Sequence, residues 1–177
     1  SDASFFGISI QDEAFDTDGA NNLSSSSYAV EVAYAQDLGD GITAFIGAAY
    51  EDADAGDTYI VNTYVTYETG AWLFAAEVNF GNSENGAFGT GTDVDVLSGL
   101  LMANYAYSDD SSVTARLSYE EVDNGTVDAD TVKYTLAHNK ALADNLLLVT
   151  EVSFSEAEGL GLEAEETRFA AELLFSF

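Results

Sequence analysis

Hydrophobic and polar positions alternate along most of this chain, most plainly in residues 166–177. Phe169, Ala171, Leu173, Phe175 and Phe177 are apolar on one parity. Arg168, Ala170, Glu172 and Ser176 are polar or small on the other, with Leu174 the exception. A period of two marks a β-strand with two different faces. Ordering a terminal side chain gains a soluble protein little, because termini fray. A strand that closes a membrane barrel, by contrast, needs its last outward residue anchored at the bilayer interface.

The same alternation recurs upstream. Phe6, Ile8 and Ile10 share a face, as do Tyr28, Val30, Val32 and Tyr34, whose partners are Ala29, Glu31, Ala33 and Ala35. Further sets are Ile42 to Tyr50, Tyr59 to Tyr67, Trp72 to Phe80, Val113 to Tyr119, Val132 to His138 and Leu146 to Phe154. Another strand runs from about Val94 to Tyr107, with its parity obscured by consecutive Leu100, Leu101 and Met102. The pattern predicts about ten strands, and no helical period competes. Residues 12–26, 51–57, 81–93, 123–130 and 155–165 read as long, mostly acidic loops. The stretches DLGDG, ETGA, SDDSS and KALAD read as short turns. Long and short connections alternate, as in a barrel with short periplasmic turns and longer external loops. The expected fold is an all-β, transmembrane, antiparallel up-and-down β-barrel forming a single domain over 1–177.

Period two alone does not say which face is outside, since a soluble barrel would turn its apolar face inward. The aromatics favour the membrane. Tyr28, Tyr50, Tyr59, Phe80, Tyr119 and Phe154 fall near the external end, and Tyr67, Trp72, Tyr107, Phe175 and Phe177 near the periplasmic end. Tyr59 to Tyr67 and Trp72 to Phe80 each span about eight residues, which on tilted strands separates two rings by roughly 20 Å. That is close to the ~25 Å apolar band of such barrels.

Composition agrees. Of 177 residues, 4 are Lys or Arg and 32 are Asp or Glu, for a net charge of −28, which excludes a nucleic-acid partner. There is no Cys, so thiolate chemistry and disulfides are excluded. There is no Pro, as expected where most residues sit in paired ladders. Hydrophobic residues make up 47%, too many for disorder, yet no run approaches a membrane helix. The chain begins SDA with no leader, as a cleaved, mature form would.

On this parity the inward, pore-lining charges are Glu31, Glu77, Arg116, Glu120, Lys133, Glu151, Arg168 and Glu172. The opposite wall offers Ala29, Ala33, Ala35, Gly47, Ala49 and Ala75, and inward Phe5, Phe45 and Tyr64 are expected to narrow the path. An acidic lumen with a transverse charge pattern would prefer cations. The alternative is a paired ion network that plugs a structural barrel, leaving its acidic external loops to bind a partner or divalent cations. No catalytic, cofactor or metal residue is expected. His138, the only His, is placed outward near the periplasmic end, away from any rim of carboxylates. The acidic loops lack calcium-loop spacing, and Asn124 would accept a glycan only in a eukaryotic secreted context.

The segments AWLFAAEVNFG (71–81), LLMANYAYSDDSSVTARLSYEE (100–121), YTLAHNKALADNLLLVTEVSF (134–154) and FAAELLFSF (169–177) resemble the C-terminal strands of bacterial outer-membrane porins, the OmpL-like β-barrel porins above all. The resemblance implies a Gram-negative outer-membrane location, the lipid bilayer as surroundings, and passive diffusion of ions or small solutes. Such porins are commonly about twice as long and often carry a constriction loop. Residues 81–93 are the candidate for one here, and a homo-oligomer or larger assembly stays open.

Overall fold

The computed structural model describes residues 3–11, 15, 28–53, 56–84 and 92–175. Ten strands follow one another: β1 (Ser4–Gln11), β2 (Tyr28–Gly39), β3 (Ile42–Asp52), β4 (Thr58–Thr69) and β5 (Trp72–Ser83), then β6 (Val94–Ser108), β7 (Ser111–Asp123), β8 (Asp128–Ala143), β9 (Leu146–Gly159) and β10 (Leu162–Phe175). They form one antiparallel up-and-down sheet in sequence order, and no helix occurs among the described residues. Within these residues β1 pairs only with β2, and β10 only with β9.

The two parities separate as the alternation requires. Phe6, Ile8, Tyr34, Ile46, Val65, Phe74, Val78, Leu101, Leu117, Leu136 and Phe169 stand exposed on one face. Ala29, Glu51, Thr114, Thr135, Ala137 and Ser153 are buried on the other. An apolar face turned outward and a polar or small one turned inward is the arrangement for lipid outside. Register settles the parity of the sixth strand. Leu101 pairs with Ala76 and Leu117 on the outer face, so Leu100, opposite Glu77, and Met102, opposite Arg116, point inward.

The aromatics gather at two levels. Tyr28 lies 6.3 Å from Tyr50 and Tyr59 lies 5.9 Å from Phe80 at one end. At the other, Trp72 stacks on Phe74 at 5.5 Å and meets Tyr105 at 4.6 Å with the rings tilted by 33°. Nearby, the Tyr107 hydroxyl shares a 2.6 Å hydrogen bond with His138 Nε2. This is the outward, interfacial place expected for His138. Phe177 lies outside the described residues.

The connections differ from expectation at several points. Residues 155–165 are not a loop: β9 runs to Gly159 and β10 starts at Leu162. Only Leu160 (φ 55°) and Gly161 (φ 72°) turn between them, the left-handed pair that a two-residue hairpin needs. Residues 123–130 likewise shrink to the short connection 124–127 between β7 and β8. The glutamates and aspartates there mimic a solvated loop by composition, but they alternate, and the ladder continues through them. KALAD also belongs largely to β8, so Lys140 is a strand residue rather than a turn residue. The first external connection apart from residue 15, and residues 85–91, which include most of the candidate constriction loop, lie outside the described residues.

Strands of 14–16 residues exceed the 9–11 needed to cross a bilayer. The external ends of β7–β10 therefore extend past it, and their outward carboxylates form ladders. Glu121, Asp130, Glu158 and Glu163 are successive cross-strand partners in one row. Asp95, Asp123 and Asp128 make a second row, and Glu156 opposes Glu165 in a third.

Candidate functional site

The inner face of the sheet is the candidate site, and strand register fixes its rows. One row reads Phe5, Ala35, Phe45, Tyr64, Glu77, Leu100, Ser118, Lys133, Ser155 and Glu166 from β1 to β10. The next row toward the external end includes Asn62, Asn79, Ser98, Glu120 and Thr131. The next toward the periplasmic end includes Met102, Arg116, Thr135, Ser153 and Arg168. Glu151 sits one row further down, between Ala137 and Ala170, and Glu172 lies below it opposite Val149. Glu31 sits nearest the external end, between Ser9 and Ala49. All the charges expected on the inner parity therefore share one face of the sheet.

Some of them meet. The Arg116 guanidinium pairs with Glu151, their side chains 38% and 24% exposed, while Arg116 Nε is buried without a hydrogen-bond partner among the described residues. Lys133 shares the row of Glu77 but lies three strands away, so those two do not touch. Glu77 is held by amides instead. Asn62 Nδ2 donates to Glu77 Oε1 at 2.9 Å and to Asn79 Oδ1 at 2.6 Å, and Asn79 Nδ2 donates to Glu77 Oε1 at 3.0 Å. A second amide cluster lies toward the periplasmic end, where Asn104 Nδ2 donates to Thr114 Oγ1 at 2.7 Å and Asn139 Nδ2 to the same oxygen at 3.2 Å. Sequence reasoning centred on charge missed both clusters, although each Asn falls on the inward parity.

It also missed Glu51, which was assigned to a loop, and Glu166, which opens the final alternating stretch but was not counted among the inward charges. Glu51 is 1% exposed at the external end of β3 and accepts a 2.8 Å hydrogen bond from the Phe15 backbone N–H. The first external connection thus touches the inner wall at residue 15.

The expectation that Phe5 and Phe45 narrow the path is corrected by two glycines. A Cβ on Gly7 would lie 2.8 Å from the tip of the Phe5 ring, and one on Gly47 would lie 2.9 Å from that of Phe45. Each ring leans along its own strand over the glycine two residues on, against the wall rather than across the lumen. Phe45 stacks on Tyr64 at 4.8 Å with 10° between planes.

At the periplasmic end, outside the membrane, Lys140 Nζ lies 2.5 Å from Asp110 Oδ2 in the β6–β7 turn. This ammonium, with the Ser111 and Ser108 hydroxyls, holds the Asp110 carboxyl well below the usual carboxylate range. Among the described residues no group of acidic or His side chains could hold a metal ion.

No curated protein matches the chain. Its fold is similar to that of OmpT of Vibrio cholerae, with 13% identity and a TM-score of 0.68 over 84% of this chain and 56% of that one. A structure described as porin matches at 18% identity and a TM-score of 0.72, over all of this chain and 59% of that one. The KdgM porin matches at 13% identity and a TM-score of 0.51, over 86% of this chain and 78% of that one. The chain thus spans under two thirds of the length of the first two, both larger than itself. A family model described as "Putative beta-barrel porin-2, OmpL-like" matches residues 7–177. The polar inner face, the apolar outer face and the paired aromatic levels are what that match implies, and the chain belongs to this family of porin-like β-barrels of the bacterial outer membrane.

Proposed function

We propose that the sheet walls a narrow channel for passive diffusion of ions and small hydrophilic solutes, with a preference for cations. One observation carries this: the charged strand residues at membrane depth lie on the inner parity, while the outer parity there is apolar. In lipid, charge at that depth is tolerated only where it faces water or a partner. Glu31, Glu77, Glu120, Glu151 and Glu172 outnumber Arg116, Lys133 and Arg168, so the field along the path favours cations. Glu51 and Glu166 add to the bias. The rings of Phe5 and Phe45 lie against the wall, which supports an open path. The one His lies on the outer face at the periplasmic end, which disfavours an enzyme at the external rim.

The Arg116–Glu151 pair and the amide clusters support a second reading, a closed structural barrel whose inner polar groups satisfy one another. Lys133→Ala and Arg168→Ala separate the two. A channel predicts a shift of reversal potential toward cations with little change in stability. Unchanged conduction with a destabilised barrel would sink the channel reading and favour the plug.

A further inference from the structure

Resting on the channel reading, we propose that the inner wall of β3–β8 carries a subsite for neutral saccharides. The stacked pair Phe45 and Tyr64 sits directly beside Glu77 in one row, with Asn62 and Asn79 a row above. Both rings are half-buried, and what they leave open offers the solute an apolar, polarisable surface. Tyr64 is the cross-strand partner of Glu77, which with Asn79, Ser98, Ser118, Glu120 and Lys133 lines a depression of about 350 Å³. Such a combination, an apolar platform with a few convergent polar groups, is the general form of a small-molecule site.

The polar groups choose the class. Glu77 and Glu120 accept hydrogen bonds, Lys133 donates, and serine hydroxyls and the asparagine amide do both. An anion would meet two carboxylates, and a small cation, which those carboxylates attract, would leave the Phe45–Tyr64 pair unused. A purely apolar solute would strip water from the Asn62–Glu77–Asn79 cluster without replacing it. A sugar ring suits both parts: its hydroxyls exchange hydrogen bonds with mixed donors and acceptors, and its C–H faces lie against aromatic rings. Gly47 is part of the device, because a side chain there would push Phe45 off the wall.

The test is current recording on the full chain in a planar bilayer, with maltotriose added to one side. The subsite predicts concentration-dependent interruption of the ion current. Phe45→Ala with Tyr64→Ala should raise the half-blocking concentration about tenfold, and Tyr64→Phe, which keeps the stack, should change it less than about threefold. Steady channel steps that maltotriose does not disturb, or a double variant that is blocked like the parent, would overturn the subsite while leaving the channel standing. If no steps appear, the channel reading has failed, and calorimetric titration of maltotriose into the barrel, folded in a detergent without a sugar headgroup, decides the subsite alone. Heat of binding lost in the double variant supports it, and no binding overturns it.

Discussion

Glu158 offers the most searching perturbation of the fold. It stands exposed on the outer face of β9 with Asp130 directly opposite on one side and Glu163 on the other. Two unit charges about 5 Å apart in water repel by ~0.8 kcal/mol, and like charges directly opposed across strands destabilise by ~0.2–1 kcal/mol per pair. Glu158→Lys exchanges two repulsions for two attractions. With both partners solvated, the lower part of that range applies, giving a gain of about 1–2 kcal/mol, and Glu158→Gln should give about half as much. The effect is coulombic, so it should be largest near 10 mM salt, where charges act over ~30 Å, and fall to a few tenths near 1 M, where they act over ~3 Å. Urea unfolding of the barrel in lipid vesicles reads it through Trp72, the only tryptophan. Equal stability of parent and Glu158→Lys at low salt would refute the paired ladder and return residues 155–165 to a solvated loop. A gain that persists at 1 M salt would refute the electrostatic cause.

Other consequences follow from individual contacts. Arg116→Ala should cost about 1–2 kcal/mol, between the values of exposed and buried ion pairs, and should shift reversal potential further toward cations. Gly47→Ala should tip the Phe45 ring into the lumen and lower single-channel conductance, with a stability loss under about 1 kcal/mol because the ring can move. The Asp110 carboxyl is held below its ordinary value of 3.8, so its stabilising contribution is present above that value and lost as pH falls beneath it. Acid titration of unfolding should therefore show Lys140→Met less stable than the parent near neutral pH, with the difference closing below about pH 4. A difference that grows on acidification would contradict the contact.

Strand number, face assignment and the aromatic levels were legible because each follows from a period of two, which survives without any tertiary information. The Leu100–Met102 run was not, because three apolar residues in a row fit either parity. Only pairing of Leu101 with Ala76 and Leu117 resolves it. Residues 155–165 were misread because carboxylates suggested solvent, while the alternation of Glu156, Glu158, Glu163 and Glu165 with Ser155, Ala157 and Ala164 carried the strand signal. Inward charges were found by parity, but the Asn62–Glu77–Asn79 cluster depends on register between β4 and β5, which spacing within one strand does not specify. The posture of the lumen aromatics did have a sequence mark. Phe5 and Phe45 each precede a glycine by two residues, on the same face of the same strand.

Single-channel recording in a planar bilayer under a salt gradient tests the central claim most directly. Discrete conductance steps with a cation-selective reversal potential are the predicted result. A correctly folded barrel that passes no current, or one selective for anions, would contradict it.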